Sequence, residues 1–336
     1  MFEAELWQMH GALASAGRIM ITATEREDGD SIAAELAVKL IVQRAFPQKT
    51  VQIINERSCP GRYLFLSGAG EILAFDRHDG RPFDAGIVVD CGADRSGRVH
   101  GIYQDTKFRV KIDHHTYGNR GDYHLEIVST QVASTTEIVF GFVDHPAWPG
   151  GLTPELAELI YVGLLCDTGS FQYDLTRPST HRIAARLIET GFNFPLTAER
   201  IHLSRTFAMK KLLGQVLQRM ERASHGQYLY SVLTPEMMAE AGASADDAGD
   251  IIDELCFIHG VEVSVLFVPQ PDDTVRISFR SKGAINVGEL ASQLTSAGGG
   301  HPRAAGCLLP GGLPAVTGVV LDRLESELRR QGLVRP

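Results

Sequence analysis

RIMITATEREDGDSIAAELAVKLIVQRAFPQKTVQII, Arg18–Ile54, holds a strand, an acidic turn, a helix and a second strand in one run. RIMIT (Arg18–Thr22) and VQII (Val51–Ile54) are short apolar segments, and Ser31–Phe46 between them has the apolar spacing of an amphipathic helix. Strand, helix, strand is the repeating unit of a mostly parallel sheet. The turn is the unusual part. Glu25, Glu27, Asp28 and Asp30 crowd into six residues, with Thr24 at their edge. Carboxylates that close repel one another unless solvent or a cation offsets the charge. For any single one of them, a solvated turn or cap is the ordinary explanation.

The same alternation continues outward. GIVV (Gly86–Val89) and FRVKI (Phe108–Ile112) read as further strands, and Thr153-Pro154-Glu155 as an N-cap with proline at the first helical position. That helix should run through LAELIYVGLLC and stop near Asp167-Thr168-Gly169. The expected fold class is α/β, a doubly wound, mostly parallel sheet. Helical patterns through Thr180–Arg222 read as a connector. Beyond them, Tyr228–Leu233, Val261–Val268 and Thr274–Arg280 alternate like half-buried antiparallel strands, with a helix expected over Ala248–Ile258. These belong to a second, smaller α+β domain that ends near the glycine-rich SAGGGHPRAAG, Ser296–Gly306. The expected division is a metal-binding domain over 1–185, a helical linker over 186–215 and a substrate-binding domain over 216–330.

Bulk properties narrow the function. A chain of 336 residues is long enough for two cores. Asp and Glu outnumber Lys and Arg by 41 to 32, for a formal charge of −9, which excludes a general basic surface for long duplex DNA or anionic membrane. The five cysteines are scattered, odd in number and never paired as C-x-x-C, which argues against a disulfide framework and fits a reducing cytoplasm. MFEAELWQMHGALASAG lacks the pattern of a signal peptide, and no run of about 18 apolar residues predicts a membrane span.

Acidic and imidazole groups close the apolar segments of the first half: Asp28 and Asp30, Asp90, Asp113-His114-His115, and Asp167. The carboxyl ends of parallel strands line one edge of a sheet, where ligands bind, so connectivity alone would gather these groups. Asp28 and Asp30, two apart, would point the same way from extended chain. Carboxylates with one imidazole suit Mn²⁺, with Mg²⁺ the competitor. The set is too large for one ion that must also hold water and substrate. It suits two ions about 3.5–4 Å apart that activate a water for attack at phosphorus.

The segments EDGD, VVDCG, KIDHH, LLCDTGSF and GGGHPRAAG, with STQVASTTE (Ser129–Glu137), occur here in order. Together they resemble the DHH phosphoesterase superfamily, and within it the bacterial oligoribonuclease and 3′-phosphoadenosine-5′-phosphate (pAp) phosphatase type, over about residues 15 to 325. The resemblance implies a DHH domain followed by a DHH-associated domain, an active site in the cleft between them, and a dinuclear Mn²⁺ centre. One ion would be held by Asp28, Asp90 and Asp167, the other by Asp30, Asp90, His114 and Asp167. Asp113 would orient an imidazole, and His115 would lie against the scissile phosphate. His301 and Arg280 would grip the terminal nucleotide. Gly298-Gly299-Gly300 would let backbone N–H groups approach an anion, and Ser281 and Lys282 adjoin Arg280.

Two departures stand out. The position four before the first motif aspartate is normally a histidine ligand, and here it is Thr24; His10 is the nearest upstream histidine. Ser31-Ile32-Ala33-Ala34 stands where relatives often carry a glycine-serine pair. The leading expectation is a cytoplasmic Mn²⁺-dependent phosphodiesterase that hydrolyses short RNA to 5′-mononucleotides. Its neighbours are pAp dephosphorylation and cleavage of linear or cyclic dinucleotides. A nucleotide-binding protein weakened in catalysis by Thr24 is the alternative from another class. The expected partners are short RNA or small nucleotides, with homodimerisation open.

Overall fold

The structure is a computed structural model and describes residues 2–25, 27–115, 121–202, 205–249, 251–256 and 258–333. Backbone contacts divide the chain into Met1–Ser204 and Arg205–Pro336. That division falls within the 186–215 span, of which Leu203 and Ser204 lie outside the described residues.

The first unit runs α1 (Glu3–Ser15), β1 (Arg18–Thr22), α2 (Gly29–Ala45), β2 (Thr50–Asn55), β3 (Leu73–Ala74), β4 (Ala85–Val89), α3 (Val99–Gln104), β5 (Phe108–Asp113), β6 (Leu125–Val128), α4 (Thr135–Phe140), α5 (Pro154–Asp167), α6 (Pro178–Ile188) and α7 (Phe194–His202). Its six strands lie in the order β3-β2-β1-β4-β5-β6, every pair parallel. The side-chain period of two explains why both faces must be covered. Ile19, Ile21, Ile87 and Val89 join the large core with Leu13 of α1, Val38 of α2 and Ile160 of α5. Met20 and Val88 point the other way, onto Val99 and Tyr103 of α3. The strand order reverses between β1 and β4, which places a crevice at their carboxyl ends.

α5 begins as its sequence signals indicate: the Thr153 hydroxyl accepts from Leu156 N–H, and Pro154 is the first helical residue. It packs on α2 with no side chain between them at two points. A Cβ on Gly29 would lie 2.1 Å from Cys166 Sγ, and one on Gly163 would lie 2.2 Å from both Asp30 Oδ1 and Thr136 Oγ1.

The second unit runs α8 (Phe207–Gln218), β7 (Glu221–Ala223), β8 (Tyr228–Val232), α9 (Pro235–Ala241), α10 (Ala245–Gly249), α11 (Ile251–Leu255), β9 (Val263–Pro269), β10 (Thr274–Ser281), α12 (Val287–Leu294), β11 (Gly299–His301), β12 (Ala304–Pro310) and α13 (Leu313–Arg330). Its sheet has the order β11-β12-β10-β9-β8-β7. Val263, Val265 and Phe267 face α12 and α13, while Leu266 and Val268 face α8, α9 and α11. Two expectations need correction here. β8 pairs with β9 in parallel, because the chain between them forms the helical crossover that parallel neighbours require. The helix expected over Ala248–Ile258 is described as parts of α10 and α11, with Asp250 and Phe257 outside the described residues. No helix among the described residues is long and apolar enough to cross a membrane.

Candidate metal centre

Three adjacent strands, β1, β4 and β5, and the end of α5 deliver the side chains. The first loop does not stay extended after β1, which corrects the reading of Asp28 and Asp30. Asp28 is the N-cap of α2, its Oδ1 accepting from Ser31 N–H at 3.0 Å, and Asp30 already lies in the first helical turn. The two carboxylates therefore do separate work.

Asp30 is fully buried and turned toward α4. Its Oδ2 accepts from Thr135 N–H at 2.6 Å, and its Oδ1 from Thr136 N–H at 3.1 Å and Thr136 Oγ1 at 2.8 Å. A carboxylate is favoured there by the free N–H groups at a helix start. Gly163 leaves the space this approach needs. α4 is in turn capped by Ser134, which accepts from Glu137 N–H.

Asp90 directly follows β4 with φ at +61°, a left-handed conformation that aspartate tolerates better than most side chains. Its N–H still donates to Ile112 of β5, so the turn is tied to the sheet. Ser31 Oγ donates to its Oδ2 at 2.6 Å and Thr135 Oγ1 to its Oδ1 at 2.8 Å. Ser31, where relatives often differ, thus links α2 to the β4 turn.

His114, buried after β5, places Nε2 3.1 Å from Asp167 Oδ2 and 3.6 Å from Asp90 Oδ1. One ligand atom each from Asp30, Asp90, His114 and Asp167 lies within 4.8 Å of the others. Electrostatics make this grouping costly without a counter-ion. Burial and the Asp30 charge push Asp167 up to about 8. Burial, then the charges of Asp30, Asp28 and Asp167, raise Asp90 well above the carboxylate range. Burial opposes the charge on His114, but contact with Asp167 outweighs it and lifts the imidazole to about 9. Asp167 Oδ2 is a buried atom that faces His114 Nε2 at 3.1 Å. Two buried carboxylates, a third that is partly buried and one imidazole are a donor set that fits a divalent cation.

Asp113 stands behind these groups. Its Oδ1 accepts from His115 N–H at 3.0 Å and lies 2.8 Å from His115 Nδ1. Its Oδ2 lies 3.0 Å from Nζ of Lys111, both side chains being fully buried. Burial raises Asp113, yet the His115 contact and the Lys111 charge hold it at about 2. His115 is half-buried, edge-on to His114 at a ring separation of 4.5 Å.

Asp28 is exposed and falls outside the four-residue grouping, and Thr24 sits half-buried in the loop before it. Sequence reasoning missed Ser31, Thr135, Thr136 and Lys111 as participants. The stretch around Ser134 was singled out only as a resemblance, and nothing in FRVKI marks Lys111 as an inward residue beyond its alternation with Val110 and Ile112.

In the second unit, Arg280 and His301 both pair with Ala304, from β10 and β11 respectively. Directly paired residues share a face, so the two side chains flank Ala304 in one cross-strand row, about 10 Å apart at two strand spacings. Arg280 Nε donates to Asp253 Oδ1 at 2.5 Å, Lys282 Nζ to Ile258 O at 2.7 Å, and buried Ser281 Oγ to Glu262 Oε1 at 3.3 Å. The glycine triplet is a strand edge rather than an open loop. A Cβ on Gly298 would lie 2.2 Å from Ala291 O, and one on Gly300 2.5 Å from Ala304 O. Gly299 pairs with Gly306 in the same hairpin. Close packing of α12 against β11 and β12 therefore demands glycine whatever else the segment binds.

The family model for the N-terminal domain of the DHH family matches residues 18–164, and that for the DHHA1 domain matches residues 225–329. The chain is 31% identical over 321 residues to the bifunctional oligoribonuclease and PAP phosphatase NrnA of Thermus thermophilus, covering 94% of this chain and 92% of that protein. It is 28% identical over 292 residues to the probable bifunctional oligoribonuclease and PAP phosphatase NrnA of Streptococcus mutans, covering 86% and 88% of the two. Among solved structures, an exopolyphosphatase-related protein from Bacteroides fragilis superposes with a TM-score of 0.86 at 23% identity, over 98% of each chain. RecJ from Thermus thermophilus in complex with Mn²⁺ superposes with a TM-score of 0.52 at 14% identity, over 98% of this chain and 55% of that one. These two likenesses concern the fold.

Proposed function

This chain belongs to the DHH family, and we propose that it is a metal-dependent phosphoesterase that hydrolyses short RNA oligonucleotides to 5′-mononucleotides. The observation that carries the reading is the convergence of Asp30, Asp90, His114 and Asp167 at the carboxyl edge of β1, β4 and β5. The relatives named as bifunctional oligoribonuclease and PAP phosphatase support both the RNA activity and, as the second reading, removal of a phosphate from pAp.

In this reading Asp30, Asp90, His114 and Asp167 hold one divalent cation, with manganese the best match to their mixed oxygen and nitrogen donors. Asp28, Asp90 and Asp167 hold a second, beside which Thr24 offers only a weak hydroxyl. Bound there, the cations supply charge neutralisation at the phosphoryl group and a water made acidic enough to attack at neutral pH. Thr135, Thr136 and Ser31 fix the carboxylates by hydrogen bonds, so that no side chain has to reorganise as charge develops. Asp113, kept ionised by Lys111, orients the His115 ring toward the scissile phosphate. Arg280 and His301 hold the terminal nucleotide, with Ser281, Lys282, Gly299 and Gly300 shaping the strand ends around them.

The test is a panel of 5′-labelled RNAs from two to seven nucleotides, with pAp and cyclic dinucleotides, incubated with Mn²⁺. The expected result is fastest turnover of the shortest RNAs and measurable turnover of pAp. Absence of product from every substrate would overturn the reading.

A further inference from the structure

The loops above the acidic cluster carry arginines that the metal centre does not use. Arg57 follows β2, and Arg95 lies in the turn after β4; both are exposed. Their loops are knit together. Glu25 N–H donates to Arg95 O at 2.9 Å. Arg98 N–H donates to Glu56 Oε2 at 2.8 Å, and a Cβ on Gly97 would meet that same Glu56 oxygen at 2.6 Å and Glu25 Cβ at 3.4 Å. The segments bearing Glu25, Arg57 and Arg95 therefore adjoin.

The acids of these loops are unevenly committed. Arg98 takes Glu56 through Nε at 2.6 Å and Asp76 through Nη1 at 2.9 Å. Neither Arg57 nor Arg95 forms an ion pair or a side-chain hydrogen bond among the described residues, although exposed Glu25 and Asp94 share their loops. Several other arginines of this unit among the described residues are ion-paired, as in Arg18–Asp79, Arg44–Glu155, Arg109–Asp122 and Arg186–Asp144. The charge of Arg57 acts on Glu27, next to Asp28, and that of Arg95 on the Cys91 thiol, next to Asp90. In a chain of net charge −9, Arg57 and Arg95 thus stand at the ligand edge of a parallel sheet as guanidinium groups without an ion-pair partner among the described residues, although Glu25, Glu27, Asp28, Glu56 and Asp94 lie in the same loops.

We propose that Arg57 and Arg95 form an anion-binding rim that takes a phosphate of the substrate other than the one being cleaved. The guanidinium fork matches a terminal phosphate dianion or an internal diester. The proposal rests on the phosphoesterase reading and sharpens it: the preferred substrates carry at least two phosphates, as pAp and 5′-phosphorylated dinucleotides do. A dinucleoside monophosphate, with its single diester, leaves the rim unused.

Calorimetric binding of pAp and of adenosine 5′-monophosphate to the full chain, wild type against the Arg57→Ser, Arg95→Ser double variant, tests this without requiring turnover. Wild type binds pAp more tightly, and the double variant loses about tenfold in pAp affinity with little change for the monophosphate. Both side chains are exposed and unpaired, so unchanged melting temperature is expected of the variant. With Mn²⁺ present, KM for a 5′-phosphorylated dinucleotide rises in the variant while KM for the unphosphorylated one stays. An unaltered pAp preference, an equal loss for both ligands, or no preference in wild type would overturn the rim. Hydrolysis of neither dinucleotide by wild type would instead count against the phosphoesterase reading.

Discussion

Single side chains decide how the acidic turn is used. Asp28 and Asp30 differ by two positions, yet one caps α2 while the other binds the start of α4. Residue type alone does not distinguish them; the distinction needs the helix to begin at Gly29, a residue that admits Cys166 where a Cβ would collide. Thr24 gives the sharpest residue-scale prediction. Restoring a nitrogen ligand with Thr24→His should tighten Mn²⁺ binding about tenfold, roughly 1.4 kcal/mol, by calorimetry. Unchanged affinity would speak against an ion beside Asp28. Gly163→Ala tests the packing side. Its methyl group would lie 2.2 Å from Asp30 Oδ1, so a stability loss of about 1–3 kcal/mol in denaturant and weaker Mn²⁺ binding are expected. A variant as stable and as metal-competent as wild type would contradict the account of Asp30.

At the level of elements, β1, β2, β4 and β5 were legible because each is short, apolar and separated from the next by a chain long enough for a crossover, whereas the two edge strands, the two-residue β3 and the four-residue β6, were not. β1 occupies Arg18–Thr22 as the apolar run indicates, and β5 extends one residue further, to Asp113. The parallel pairing of β8 with β9 was missed, although the helix expected between them allows the crossover that such a pair requires. Apolar–polar alternation in the sequence pointed to antiparallel strands, but alternation does not report strand direction, and β9 is in fact buried on both faces. α4 was hidden for a different reason. It is short, and its worth to the site lies in the N–H groups of Thr135 and Thr136, which no side-chain pattern reveals. β5 holds the element-scale prediction. Lys111 and Asp113 form a fully buried pair two positions apart on one face of the strand. Lys111→Met would leave the carboxylate without its cation and should cost about 3–5 kcal/mol in chemical denaturation. A loss under about 1 kcal/mol, the scale of an exposed pair, would mean that Asp113 does not depend on it.

The whole molecule has a parallel unit that gathers acid and a mixed-sheet unit that places Arg280 and His301 in one row; the order of two domains was expected from five short motifs, while the mixed sheet and the cross-strand row were not. What the motifs do not convey is the electrostatic tension of the gathered site. In the metal-free protein, Asp167 has a folded value raised to about 8 and His114 one raised to about 9. Groups raised on folding stabilise at low pH and lose that contribution as pH climbs through the folded value. Stability of the metal-free protein should therefore fall between about pH 5 and pH 9, while Asp113, held at about 2, matters only below the ordinary carboxylate range. Mn²⁺ should flatten that slope, since it binds the ionised carboxylates; equal slopes with and without the ion in thermal melts would argue that the ion binds elsewhere. The central claim is that Asp30, Asp90, His114 and Asp167 bind a common divalent cation. Anomalous diffraction from a crystal soaked in Mn²⁺ tests it most directly: the account predicts a peak bonded to those four side chains, and a crystal with manganese bound elsewhere but none there would contradict it.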